Sequence, residues 1–208
     1  MSPNEAKPLS IRCVPLTFDR WPDFEKLFGP HGAQAGCWCM WWRETASEFG
    51  AQKGDRNREA FRAIVASEDT PGLLAYVGED PIGWCAVAPR ERYVRLARSR
   101  TLKPIDEQPV WSITCFFVAR RYRRQGVTAR LLDAAVAFVR DRGGRIVEAY
   151  PIAPATGEYP DAYAYTGLLS TFLEAGFKVV ARPSASRAIV RYAIVPPARP
   201  SRRRGTGE

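Results

Sequence analysis

The sequence predicts an α/β (α+β) fold, a mixed and largely antiparallel central sheet of about seven strands with helices on both faces. Three features carry that expectation. Segments patterned as strands and helices follow one another as strand, two helices, three strands, helix, strand, helix and two strands. The run Val110 to Val118 is almost wholly apolar, as in a strand covered on both faces. The helical pattern after it leads into a further strand, so residues 110 to 150 read as the one parallel crossover. A ligand site is expected near the carboxyl end of the first strand of that step.

In chain order, residues 1–9 form a polar lead, residues 10–195 a single domain and residues 196–208 a basic tail expected to be disordered. Ile11 to Leu16 reads as a strand, and Asp19 as the cap of a short helix carrying Phe24, Leu27 and Phe28 that Gly29-Pro30 ends. A second helix, Asn57 to Ser67, places Ala60, Phe61 and Ile64 on one side. Leu73 to Val77 and Ile82 to Ala88 flank Gly78-Glu79-Asp80-Pro81, which has hairpin turn chemistry. Pro89 to Pro109 is an Arg-rich, irregular connection. From Val127, apolar residues Leu131, Leu132, Ala135, Val136, Phe138 and Val139 return at three- and four-residue spacing until Gly143-Gly144. Ile146 to Tyr150 is a strand. After a loop from Pro151 to Tyr165 comes a helix with Leu168, Leu169, Phe172 and Leu173 inward, and Phe177 to Val180 with Ala188 to Val195 make the last strand pair.

The chain has 208 residues, 46% of them hydrophobic, enough for one sizeable core and short for two. Its net charge of +9 is only partly the tail, where Arg199, Arg202, Arg203 and Arg204 face a single Glu; the body is basic too and attracts anions in general. Five cysteines, with Cys13, Cys85 and Cys115 in apolar runs, argue against a disulfide framework. With a polar start and no apolar run of spanning length, the expected location is the cytoplasm.

Between the strand ending at Val118 and the helix starting at Val127 lies Ala119-Arg120-Arg121-Tyr122-Arg123-Arg124-Gln125-Gly126. The first N–H groups of a helix lack internal partners and sit at the positive end of its dipole, so they favour a phosphate. Gly126 lets backbone approach such a ligand, Arg123 and Arg124 add charge, and Thr128 adds a hydroxyl. A solvated basic turn is the plain alternative. The motif Arg123-Arg124-Gln125-Gly126-Val127-Thr128 resembles the acetyl-CoA pyrophosphate motif of the GNAT superfamily of N-acetyltransferases, Gln/Arg-x-x-Gly-x-Gly/Ala, with Thr128 departing from its last position. Glu174-Ala175-Gly176-Phe177 is similar to that family's helix end, and the likeness covers residues 110 to 180 closely.

The resemblance implies a GNAT-like acyl-CoA N-acyltransferase fold with acetyl-CoA as acyl donor and no metal. Backbone groups of Phe116, Phe117 and Val118 would then bind the pantetheine arm. Arg123, Arg124, Gln125, Gly126, Val127 and Thr128 would hold the pyrophosphate. Acyl transfer to an amine needs a base and a means of stabilising the leaving thiolate. Glu148 matches a Glu some members carry on the strand after the cofactor helix, and its apolar sequence neighbours suggest a raised pKa; a strand-face charge is the alternative. Ser112 stands where other members place a catalytic Glu and is suited only to holding a water. Phe172 occupies the usual position of the thiolate-protonating Tyr, leaving Tyr165, Tyr163 and Ser170 as substitutes.

The segment Gly36 to Arg43 is the most unusual in composition. Trp38, Trp41 and Trp42, with Tyr163, suggest an acceptor-binding wall, since aromatic faces suit a cationic amine. A packed Trp cluster is the alternative, and Cys37, Cys39 and His31 as metal ligands lack the paired spacing of a zinc site. The expected partners are acetyl-CoA and an amine acceptor, with a homodimer allowed and neither membrane nor nucleic acid. Two rival readings stay open: a basic nucleic-acid-binding module and a non-catalytic acyl-CoA sensor.

Overall fold

The computed structural model describes residues 9–67, 70–154 and 161–195, with backbone alone at 161–163; the polar lead to residue 8 and the tail from residue 196 lie outside the described residues. Its strands are β1 (Arg12–Pro15), β2 (Gly72–Val77), β3 (Asp80–Pro89), β4 (Trp111–Val118), β5 (Ile146–Ala149), β6 (Lys178–Ser184) and β7 (Arg187–Ala193). They form one sheet in the order β1-β2-β3-β4-β5-β7-β6. Only β4 and β5 run parallel; every other neighbouring pair is antiparallel, as the single crossover requires.

Among the described residues there are six α-helices: α1 (Trp21–Phe28), α2 (Ala46–Gln52), α3 (Asp55–Ala66), α4 (Val94–Ala97), α5 (Val127–Asp141) and α6 (Leu169–Glu174). On one face, α5 and α6 bury Leu131, Leu132, Ala135, Phe138, Leu169 and Phe172 against Ile82, Cys85, Val87, Ile113 and Val147. Each large side chain so covered contributes about 1.5–3 kcal/mol. The start of α5 can sit this low because β3 presents Gly83, where a Cβ would meet Val127 at 2.9 Å. On the opposite face, α1 and α3 pack Phe24, Phe28 and Phe61 on Trp84. A third cluster, Tyr93, Leu96, Leu102, Tyr150 and Ile189, lies under the 90–110 connection.

Several local expectations change. Asp19 belongs to a 3-10 turn, Phe18–Arg20, and does not cap α1; the cap position is Arg20, and Pro22 starts the helix without needing an N–H. The buried face of α3 is Asn57, Phe61 and Val65, one residue round from Ala60 and Ile64. Leu173, expected inward, is 47% exposed, because α6 turns only Leu169 and Phe172 to the core. The connection read as irregular contains the 3-10 turn Arg90–Arg92 and α4. Helix α2 was not expected at all, although Thr45 and Glu48 form a reciprocal capping box at its start.

Candidate active site

The site follows from how β4 and β5 part. They pair through only three positions, Trp111 with Val147, Ser112 with Glu148 and Ile113 with Ala149; β5 then ends while β4 continues to Val118. At that point β4 also bulges: Ala86 faces Cys115 and Val87 faces Ile113, so Thr114 is the extra residue. A bulge bends its strand and raises local twist, which helps carry the two strands apart. Beyond Ile113, β4 has no strand partner on its β5 side among the described residues, and the 3-10 turn Asp161–Thr166 packs against it.

Directly after β4 comes the basic turn. Arg120–Tyr122 is a 3-10 turn, Arg124 adopts φ 59° and Gly126 φ 77°, both left-handed, and α5 begins at Val127. At Gly126 an added Cβ would meet nothing within 4 Å. Space there is open, and the first-turn N–H groups of Val127, Thr128 and Ala129 have no carbonyl of their own helix to serve. Since α5 has 15 residues, its dipole adds to the attraction for an anion. The charges are distributed unequally. Arg123 Nε donates to the Val118 carbonyl at 3.1 Å, Gln125 Nε2 to that of Arg121 at 2.7 Å, and Arg121 pairs with Asp80, while Arg124 is exposed at the turn. These residues fit a diphosphate: amides for its oxygens, an open backbone approach and a guanidinium beside it.

Glu148 is not among apolar neighbours, which corrects the expectation. It is fully buried, and its Oε1 accepts from Arg90 Nη1 at 2.8 Å and from the Tyr150 hydroxyl at 2.7 Å. Its Oε2 accepts from Arg191 Nε at 2.8 Å. Arg191 in turn holds Asp106 through both terminal nitrogens, and this pairing pulls the Asp106 carboxyl down to about 2. Ser112 is also buried, with its Oγ 2.9 Å from the Tyr150 hydroxyl. Burial, followed by the charge of Glu148, pushes the Tyr150 phenol far above its ordinary value. Both lone-pair sets of Glu148 are thus engaged, so accepting a proton from an ammonium would first cost a charge-assisted bond.

The Trp-rich segment divides. Trp38 is 3% exposed and stacks on Phe28 in the core beneath α1, which removes it from an acceptor wall. Trp41, by contrast, is 37% exposed, sits edge-on to Phe49 and carries the Arg95 guanidinium 3.8 Å above its ring. Trp42 packs at the margin of the cluster under the 90–110 connection. Left-handed φ values at Trp38 and Cys39 reverse the chain and send these neighbours to different places. Tyr165, on the 3-10 turn Asp161–Thr166 that packs against β4, is half-buried. Desolvation raises its pKa, with Cys115, Arg187, Cys37 and Trp41 nearby. The Tyr163 side chain lies outside the described residues. Phe172 is sealed between Phe116 and Phe177, 6.0 and 5.1 Å between ring centroids, so that position offers no proton.

Of the cysteine pair read as possible ligands, Cys39 Sγ accepts from Trp84 Nε1 at 3.2 Å, and burial pushes the Cys37 thiol up to about 11. Among the described residues, no three His, Cys, Asp or Glu side chains gather as a metal would need, all five cysteines are free, and no helix is long and apolar enough to cross a membrane. Sequence reasoning passed over Arg43 and Tyr93, which stack beside Thr114 at the β4 bulge, and Arg95, which lies over Trp41. The one signal available was a cation set inside an aromatic run, Trp41-Trp42-Arg43.

Comparison with known proteins gives a consistent picture. A profile of the acetyltransferase (GNAT) family matches residues 38–157. Similar solved structures include PaiA N-acetyltransferase from Thermoplasma acidophilum in complex with coenzyme A, 12% identical, covering 89% of this chain and 100% of that one with a TM-score of 0.52. A GNAT-family acetyltransferase from Listeria monocytogenes is 9% identical over 88% and 95%, TM-score 0.52. A chain of the NatC complex bound to Gag peptide and CoA is 12% identical over 89% and 99%, TM-score 0.51. No curated protein matches the chain.

Proposed function

The chain belongs to the acetyltransferase (GNAT) family, and from that premise we propose that it moves an acetyl group from acetyl-CoA directly to a primary amine in the cleft where β4 leaves β5. The carrying observation is the pairing of those strands, which stops at Ile113 and Ala149 beside an open, left-handed Gly126 at the head of α5. An unpaired strand edge followed by a helix N-terminus suits an extended, amide-bearing arm that ends in a diphosphate.

Acetyl-CoA supplies the thioester carbonyl; the protein's part is to bind, orient and manage protons. Amides of Val127, Thr128 and Ala129, with Arg124, hold the diphosphate, and the backbone of Phe116 to Val118 orients the arm. Tyr165 is the proton donor to the departing thiolate: it is half-buried beside β4, and its raised pKa keeps it protonated at neutral pH. Trp41 and Trp42 stay as acceptor-facing aromatics. Glu148 and Ser112 hold the β4–β5 junction rigid through their bonds to Arg90, Arg191 and Tyr150. The test is calorimetric titration with acetyl-CoA together with thiol release over a panel of amines. Binding without thiol release on any amine favours the sensor reading, and absence of binding defeats both.

A further inference from the structure

Buried side-chain polar atoms without a hydrogen-bond partner cluster in one place. Among the described residues, these atoms are Trp42 Nε1, Arg43 Nε and Nη2, Glu44 Oε2, Tyr93 Oη, Arg95 Nε, Thr114 Oγ1 and, on α3 one turn before Phe61, whose ring lies 5.8 Å from the Arg43 guanidinium, Asn57 Oδ1. The first group is held together by the backbone. Arg95 N–H donates to the Trp42 carbonyl at 3.1 Å, and Arg95 Nη2 to that of Thr45 at 3.3 Å. The Arg43 guanidinium lies over the Tyr93 ring, 4.9 Å from its centroid, and Thr114 is the bulge residue of β4 where the strands part.

Native proteins leave few such atoms unpaired, because each costs its full desolvation. Arg43 is the extreme case. It is 8% exposed, has no carboxylate within 4 Å among the described residues, and cannot shed its proton. Its orphaned atoms, Nε and Nη2, form one edge of the guanidinium fork, the edge that takes a carboxylate through two parallel bonds. Of the remaining orphans near it, Trp42 Nε1 and Arg95 Nε are donors, the Tyr93 and Thr114 hydroxyls lie beside each other and can donate or accept, and Glu44 Oε2 is an acceptor. What is missing from this cluster is therefore a compact anion with two acceptor oxygens, accompanied by one hydrogen-bond donor.

Resting on the acetyl-transfer reading above, we infer that the acceptor amine carries a carboxylate, which Arg43 receives through Nε and Nη2 with the Tyr93 and Thr114 hydroxyls beside it, while Glu44 faces the ammonium. The substrate class is an amino acid or another small amino-carboxylate. In the reaction the amine nitrogen forms a bond to the acetyl carbon, the carbon–sulfur bond breaks, the ammonium proton passes to solvent and the thiolate leaves protonated. The carboxylate is unchanged and serves only to position.

The test compares acids with their amides. Thiol release at saturating acetyl-CoA is measured for glycine, β-alanine and 4-aminobenzoate against the corresponding amides. In parallel, the N-acetyl derivatives of both sets are titrated by calorimetry into protein saturated with CoA. At least one acid should exceed its amide tenfold in kcat/KM, and its N-acetyl derivative should bind at least tenfold more tightly than the amide derivative. Arg43→Met should raise KM for that acid tenfold or more, leave the amide and the affinity for acetyl-CoA within twofold, and raise Tm, because an uncompensated buried cation is removed. A merely structural Arg43 would lower Tm and affect acid and amide alike. Equal binding of acids and amides, or binding of neither, overturns the inference; failure of acetyl-CoA itself to bind would instead overturn the acetyl-transfer reading.

Discussion

Replacing Glu148 by Gln separates a structural from a chemical role for this residue. The substitution keeps the shape and one acceptor oxygen but removes the charge lying between Arg90 and Arg191, whose side chains are 12% and 11% exposed. It also turns an amide N–H₂ toward a group that already donates, either Arg191 Nε or the pair Arg90 and Tyr150. Breaking a buried ion pair from one side costs about 3–5 kcal/mol. The lower end applies, since Arg191 retains its two bonds to Asp106 and Arg90 retains the Leu102 carbonyl. A loss of about 3 kcal/mol in a domain of this size lowers Tm by roughly 6–12 °C. Thermal denaturation followed by circular dichroism measures it, alongside kcat and acetyl-CoA affinity at a temperature where the variant is folded. A Tm shift under about 2 °C would refute the account of a charge held in place by two guanidiniums. Such a small shift with turnover lost by more than a hundredfold would restore Glu148 as the base.

Three further outcomes are expected. Gly126→Glu, at φ 77° with open space around it, should leave the circular dichroism spectrum unchanged at a local strain of about 1–2 kcal/mol, yet raise the Kd for acetyl-CoA at least a hundredfold; unchanged affinity by calorimetry would mean no diphosphate sits there. Tyr165→Phe should lower kcat about tenfold or more with acetyl-CoA affinity within twofold. Because burial raises the pKa of Tyr165, its acidic form persists as pH rises, so wild-type kcat should show no alkaline decline below pH about 10; an alkaline decline well below that would assign the proton to another group. Asp106 has its pKa depressed to about 2 by Arg191, so the stability it contributes is present above its ordinary value and is lost as pH falls from about 4 to 2. Asp106→Asn should flatten the Tm profile across that window, and a profile identical to wild type would show that the pair contributes nothing.

Much of the fold was legible because it is written in short-range pattern. The three- and four-residue spacing from Val127 to Val139 marks α5, the apolar run after Val110 marks β4, and together they require a parallel β5. The phosphate turn was legible for the same reason, since Gly126 and its arginines are adjacent in the chain and need only a strand before and a helix after them. Helix α2 was legible in principle through Thr45 and Glu48, but its seven residues are too few for periodicity to announce it.

The rest depended on partners distant in sequence. Glu148 reads as a carboxylate among Ile146, Val147 and Ala149, yet Arg90 and Arg191, 58 and 43 residues away, decide its chemistry. Trp38 and Trp41 are three residues apart and indistinguishable by composition, but left-handed backbone at Trp38 and Cys39 sends one into the core and leaves the other at the surface. The sequence by itself determined the order of elements, the single crossover and the anion-seeking turn, because periodicity, turn residues and charge act over a few neighbouring positions. Only the tertiary structure decided which side chains share a dielectric environment, and so that Glu148 lies between two guanidiniums while Arg43 has no carboxylate partner among the described residues. Electrostatic interactions depend on distance through space and on burial, and neither is a property of chain position.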